Sequence, residues 1–327
     1  MPCYSPLKGW RDESGKMVFK GRGAESTAEV ACGQCIGCRL DRSRMWAMRI
    51  AHEASLHELD GGNCFVTLTY RDRSECTREQ LELGHYVPDD WSLQKSHFQK
   101  FMKRLRKACP GQKIRYFQCG EYGNKCMHGI ELDKVSCPLC TVGRPHHHAC
   151  LFNIGFNDLE LYTEVNGEPR YTSPTLEKIW RYGFVDVGEL NFESAAYVAR
   201  YVMKKVTGLC ADEHYQRISL EGELTFIEPE YCTMSRRPGI GKDWYDKYKD
   251  DLFPSDQTPV PGRGVFHGVP RYYQELFGLE DPLQLEEIKE IRQKYMEEHA
   301  EEFEPGRLMQ KYKVKKAQVE MLKRTVA

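Results

Sequence analysis

The chain has 327 residues, and its 47 Lys and Arg stand against 48 Asp and Glu for a formal net charge of −1. That balance excludes any argument from whole-chain charge to a nucleic-acid partner, and the 40% hydrophobic and 11% aromatic share excludes a disordered chain. No apolar run reaches the length of a membrane span, and the first residues lack a secretory h-region, so no membrane and a reducing cytoplasm are expected.

The length allows one large domain, or one domain with a smaller unit. Residues 1–30 are rich in Gly, Pro and polar groups and read as irregular. Cys32, Cys35 and Cys38 then lead into a helix predicted from Arg39 to Leu59. Cys64 to Tyr70 is β-branched and aromatic, which predicts a strand. Trp91 to Ala108 is predicted helical, with Phe98, Phe101, Met102 and Leu105 as its apolar stripe and Pro110-Gly111 as its stop. From Ser92 to Gly120 there is no acidic residue. Lys100, Lys103, Arg104, Arg106 and Lys107 are therefore candidates for contact with a DNA backbone, against the plainer reading of a solvated face.

Lys113 to Cys119 and Pro145 to Asn153 are the next strands, separated by a cysteine-bearing loop. A short helix from Pro174 to Arg181, a strand from Gly183 to Gly188, a helix from Phe192 to Val206 and a strand from Leu224 to Ile227 follow. Two helices, Pro282 to Phe303 and Arg307 to Val326, are split by Pro305-Gly306. The order β-α-β-β-α-β-α predicts an α+β fold, a central antiparallel sheet with helices on one side, followed by C-terminal helices. The expected segments are 1–60, 61–250 with a Cys/His insertion at 124–142, and 251–327.

Three groups of residues carry chemistry. His146 and His148 are two apart, so a strand presents both on one face and turns His147 to the other. Glu121, at the end of the preceding strand, can add a carboxylate, and two imidazoles plus a carboxylate suit Mg2+ or Mn2+ with positions left open for phosphate oxygens. Tyr197 and Tyr201 are four apart, on one face of a helix, with Lys204 and Lys205 just beyond. A phenol with a pKa of about 10 is a poor nucleophile near neutrality and needs an electrophile polarised by a metal. The bland reading makes the histidines satisfied strand residues and the tyrosines core aromatics. Among the 14 cysteines, Cys126 and His128 with Cys137 and Cys140 have zinc-like spacing in a polar loop. Cys32, Cys35 and Cys38 need a fourth ligand, for which Cys3 is the candidate; otherwise they pack around the start of the helix. Gly239-Ile240-Gly241-Lys242 lacks the full phosphate-loop pattern, so no ATPase is expected.

Pro145-His146-His147-His148 followed by Tyr197-Val198-Ala199-Arg200-Tyr201-Val202 resembles the two-tyrosine rolling-circle initiators of the HUH endonuclease superfamily. Pro-Cys-Tyr-Ser-Pro at 2–6, Cys-Gly-Gln-Cys-Ile-Gly-Cys-Arg at 32–39, Cys-Gly-Glu-Tyr-Gly at 119–123 and Met-Ser-Arg-Arg-Pro-Gly-Ile-Gly at 234–241 narrow the resemblance. They are similar to the replication initiators of microviruses, in their gokushovirus branch. The resemblance implies a ferredoxin-like HUH core and a catalytic Mg2+ or Mn2+ on His146, His148 and Glu121. One tyrosine would attack single-stranded phage-origin DNA, leaving a 3′-hydroxyl and a 5′-phosphotyrosine, and the other would act in the next round, with Lys204 stabilising charge on the phosphate. Host helicase and polymerase would be partners, in the cytoplasm of a bacterial host. His147 departs from the hydrophobic residue usual in the middle of the motif, and the loop between Gly123 and Gly143 is longer than the family norm. The rival is a non-catalytic, zinc-stabilised nucleic-acid-binding protein. The two are told apart by whether the tyrosines face His146 and His148.

Overall fold

The computed structural model describes residues 3–14, 16–19, 28–59, 61–165, 167–200, 205–206 and 211–321. In chain order, β1 to β3 are the short strands Leu7–Arg11, Met17–Val18 and Ala28–Val30, and α1 is Ile36–Ser55. β4 (Asn63–Tyr70), α2 (Arg78–Glu82), α3 (Lys95–Ala108), β5 (Arg115–Tyr122) and β6 (Pro145–Phe152) come next. They are followed by β7 (Glu160–Val165), β8 (Glu168–Thr172), α4 (Pro174–Trp180), β9 (Gly183–Gly188) and α5 (Phe192–Arg200). α6 (Ala211–His214), β10 (Gln216–Ile218), β11 (Leu224–Phe226), β12 (Tyr231–Met234) and α7 (Lys242–Leu252) precede β13 (Gln257–Val260) and β14 (Gly264–His267). α8 (Arg271–Glu280), α9 (Pro282–Glu298) and α10 (Pro305–Met321) end the described chain.

Two compact units form. One comprises Met1–Met45, Asp250–Thr258 and His267–Ala327; the other comprises Trp46–Lys249 and Pro259–Phe266. In the first, β1 pairs with both β2 and β3, so residues 1–30 are not wholly irregular as expected. There the Arg292 guanidinium forks onto the Asp256 carboxylate, with N···O distances of 2.7 and 2.5 Å.

The second unit holds a seven-stranded sheet in the order β12-β5-β6-β4-β9-β8-β7. Its pairings are antiparallel. Strand alternation gives β4 two faces. Cys64, Val66, Leu68 and Tyr70 lie on one, packed with Phe98, Phe101, Met102 and Leu105 of α3 and Leu176, Ile179 and Trp180 of α4. Phe65 lies on the other, with Phe117, Cys150 and Phe152, under Ile50 and Ala54 of α1 and Ala195 and Val198 of α5. Helices thus cover both faces, and the expectation of helices on one side is corrected. The cause is compositional. Cys64-Phe65-Val66 and Ala149-Cys150-Leu151-Phe152 are apolar at both parities, so each face must be buried.

The hairpin β7–β8, turning at Gly167 (φ 83°), and the edge strand β12 were not expected. α3 begins at Lys95 rather than Trp91. α5 is described to Arg200; residues 201–204 lie outside the described residues, and Lys205 and Val206 are not helical, so the expected helix end at Val206 is corrected.

Opposite the α3 face, a buried ion pair fastens α1 to β5. Arg115 Nε meets Glu53 Oε1 at 2.5 Å, and Glu53 Oε2 accepts from Gly241 N at 2.7 Å. Arg115 Nη2 also donates to Gly239 O at 2.9 Å. Gly239-Ile240-Gly241 is therefore a core-anchored turn.

Candidate functional site

Cross-strand register builds the site. Glu121 of β5 lies directly opposite His146 of β6, and His148 opposite Thr67 of β4. Pleating then turns Glu121, His146 and His148 to the face covered by α1 and α5. Glu121 Oε2 lies 3.2 Å from His148 Nε2 and 3.8 Å from His146 Nε2. One ligand atom from each of the three residues lies within 4.8 Å of the others. The rings are oriented from behind. His146 Nδ1 donates to Arg144 O at 3.2 Å, and His148 Nδ1 pairs with Thr67 Oγ1 at 2.9 Å. Both Nε2 atoms therefore face the carboxylate, which is how imidazole ligands are held for a metal. The donor set, two nitrogens and one carboxylate oxygen, fits a hard or borderline divalent ion that retains open positions.

Tyr197 reaches the same place from α5. Asn191 starts this helix: its side chain accepts from Ser194 N at 2.9 Å, while Ser194 Oγ accepts from Asn191 N at 2.9 Å. Buried Ala195 and Val198 dock it on the sheet, leaving Tyr197 half-buried. The Tyr197 ring stands edge-on to His148, with centroids 5.2 Å apart, and edge-on to Phe65 at 6.1 Å. The Arg200 guanidinium lies 5.7 Å from the Tyr197 ring centre. Tyr201 and Lys204 lie outside the described residues.

Two neighbours escaped the sequence reading. Asp186 of β9 is the cross-strand partner of Thr67, on the same sheet face as His148. Arg170 of β8 lies 3.4 Å from it. Burial pushes the Asp186 carboxyl above its usual range, against the pull of Arg170 and His148. Arg170 passes over Gly188, where an added Cβ would lie 3.0 Å from Nη1. A carboxylate at an alternating position of an otherwise apolar strand, Val185-Asp186-Val187, was the available signal.

His147 turns away, as expected. It is fully buried, 3.2 Å from Tyr70 Oη and 3.2 Å from Gln118 Nε2, and burial pushes its pKa well below the usual histidine range. The basic helix also lies on that far face, because α3 packs with Tyr70, Leu68 and Val66. Lys100, Lys103, Arg106 and Lys107 are exposed there. Arg104 is engaged at the end of α4, donating to Ile179 O at 2.6 Å and Trp180 O at 2.9 Å. The fold does not bring these cations to Glu121, His146 and His148.

The cysteine groups do assemble, each within its own unit. Cys3, Cys32, Cys35 and Cys38 converge in the first unit, and Cys126, His128, Cys137 and Cys140 in the second, each with ligand atoms within 4.8 Å of one another. None of the described cysteines is in a disulfide.

The family model for replication-associated protein ORF2/G2P matches residues 63–206, the stretch that contains Glu121, His146, His148 and both tyrosines. Replication-associated protein ORF2 of Spiroplasma virus 4 is 32% identical over 273 residues, 81% of this chain and 73% of that protein. Replication-associated protein VP4 of Bdellovibrio phage phiMH2K is 29% identical over 294 residues, 86% of this chain and 79% of that protein. Replication-associated protein ORF4 of Chlamydia phage 1 is 28% identical over 255 residues, 76% of this chain and 53% of that protein. No solved structure gives a significant match.

Proposed function

This chain belongs to the ORF2/G2P family of replication-associated proteins, and on that premise we propose that it is a replication initiator that nicks and rejoins single-stranded phage-origin DNA. The observation that carries the reading is the convergence of Glu121, His146 and His148 with the Tyr197 ring, 5.2 Å from that of His148. A satisfied core would not need a carboxylate and two imidazoles aimed at one point beside a phenol. The same placement weighs against a purely structural role for these residues and so against the non-catalytic rival.

Glu121, His146 and His148 hold the ion in this reading, and a bound Mg2+ or Mn2+ supplies Lewis-acid polarisation of the scissile phosphate. Tyr197 or Tyr201 attacks phosphorus through its phenolic oxygen. The O–P bond to tyrosine forms, the P–O3′ bond breaks, and the phenolic proton ends on the 3′-oxygen. One phosphodiester replaces another, so the bond energy is kept and the free 3′-hydroxyl of a displaced strand can reverse the step without ATP. Thr67 and the Arg144 carbonyl keep both ligand rings in register, and Arg200 supplies positive charge beside Tyr197; the family resemblance gives Lys204 the role of stabilising charge on the phosphate. DNA, host helicase and host polymerase are the partners, in the cytoplasm of a bacterial host.

The test is incubation of the full chain with origin single-stranded DNA and Mn2+, followed by denaturing gel analysis. A covalent protein–DNA adduct is expected from the wild type and none from Tyr197→Phe with Tyr201→Phe, which removes only two hydroxyls. An adduct persisting in that double variant overturns the assignment of the nucleophiles.

A further inference from the structure

The two soft-ligand clusters lie outside the proposed chemistry, and their geometry is more specific than their spacing. Tetrahedral zinc, with Zn–S of about 2.3 Å and Zn–N of about 2.0 Å, sets S···S at about 3.8 Å and S···N at about 3.5 Å. In the first cluster Cys32 and Cys38 sulfurs are 4.0 Å apart, and those of Cys35 and Cys3 are 3.9 Å apart. In the second, His128 Nδ1 lies 3.6 Å from Cys137 Sγ and 3.4 Å from Cys140 Sγ. An iron–sulfur cage would spread its cysteines further than a single ion does.

Backbone groups add an independent mark. Cys32 N donates to Cys3 Sγ at 3.3 Å, Cys35 N to Cys32 Sγ at 3.2 Å and Tyr4 N to Cys35 Sγ at 3.4 Å. A thiol is a weak acceptor, so three amides aimed at sulfur match thiolates. Four thiolates this close repel unless a cation sits among them.

We propose that the chain carries two structural zinc ions, a four-sulfur site in the first unit and a three-sulfur, one-nitrogen site in the second. The second does more than close its own loop. Cys140 bridges to Arg217 of β10, and Leu139 O accepts from Ile218 N at 2.9 Å. Just before β10, Tyr215 Oη accepts from Val206 N at 2.9 Å and donates to Glu230 at 2.5 Å. Val206 follows Tyr201 by five residues. The zinc loop therefore anchors the chain that leaves the tyrosine segment; its bearing on cleavage rests on the proposed function, while its metal content does not.

Metal analysis of the full chain, purified in excess Mg2+, tests the assignment directly. Two zinc ions per chain are expected, and one each after Cys35→Ser with Cys38→Ser or Cys137→Ser with Cys140→Ser. Fewer than two in the wild type, iron in place of zinc, or two retained by either variant overturns it. Cobalt exchange into the wild-type chain requires no variant to fold: intense visible absorption of tetrahedral, thiolate-bound cobalt is expected, and the weak spectrum of an octahedral site overturns the proposal. Limited proteolysis reads the coupling. Cutting between residues 205 and 218 should rise several-fold in the Cys137/Cys140 variant and stay unchanged in the Cys35/Cys38 variant. An unchanged rate in the former removes the anchoring role.

Discussion

At the scale of single residues, the proposed function separates His146 and His148 from the buried His147 between them. His146→Ala or His148→Ala should abolish adduct formation, since each removes one of three convergent ligands. His147→Ala should instead cost stability, by about 2–3 kcal/mol, because it opens a cavity and takes one hydrogen-bond partner each from Tyr70 Oη, which keeps His97, and from Gln118 Nε2. Its cleavage per folded molecule should survive. Adduct yield normalised to the folded fraction separates the two effects; equal loss in all three variants would mean that the strand register is misread. Glu53 gives a pH signature. Burial opposes its charge, yet His57, the Gly241 amide and Arg115 together hold its carboxyl below the usual range. A depressed folded pKa contributes stability that is present above the unfolded value and is lost as pH falls through the folded one. Urea midpoints should therefore fall on acidification below the ordinary carboxylate range, and this component should vanish in Glu53→Gln. That variant should also be less stable near neutrality by about 3–5 kcal/mol, because Arg115 is left buried without a counter-charge.

At the scale of elements, the basic helix separates what periodicity reveals from what it hides. The apolar stripe of α3 was legible, and all four of its residues are buried. Which sheet face it covers was not, because a basic amphipathic helix looks alike on either side. The hairpin β7–β8 was missed for a related reason: β7 is exposed along nearly its whole length and reads as a polar loop. Asp186 and Arg170 went unseen with it, since their meeting depends on that hairpin joining the sheet. If α3 contacts DNA, it does so on strand lying beyond the cleavage site. Lys100→Glu with Lys103→Glu and Lys107→Glu should then weaken binding to a long origin strand by tenfold or more, with a shallower salt dependence. Adduct formation on a short oligonucleotide spanning only the nick should stay near the wild-type level. Equal losses on both lengths would place α3 closer to the chemistry than the fold allows.

At the scale of the whole molecule, the residue groups that sequence spacing singled out were those whose partners sit at fixed offsets: β6 with its alternating histidines, and the cysteine pairs. Helices on both sheet faces were not foreseen, although Ala149 to Phe152 already demanded it. Strand pairing and two apolar cores fix the backbone positions of the triad. Removing a hard metal with a weak chelator should thus stop cleavage with no change in the circular dichroism spectrum, and Mn2+ should restore activity without refolding. Loss of secondary structure on that treatment would show that the ion holds the sheet together. β6 lies inside the seven-stranded sheet, between β5 and β4. Its amides and carbonyls are engaged on both sides, by β5 and by β4, so its backbone separates only when the sheet does. The free energy of local opening at His146 and His148 therefore approaches that of unfolding the unit. Tyr197 rides on α5, which among the described residues spans nine and is docked on the sheet through Ala195 and Val198, so its local opening costs less. The strand carrying His146 and His148 thus persists as long as the fold, while the helix carrying Tyr197, a proposed nucleophile, can open locally with the sheet intact.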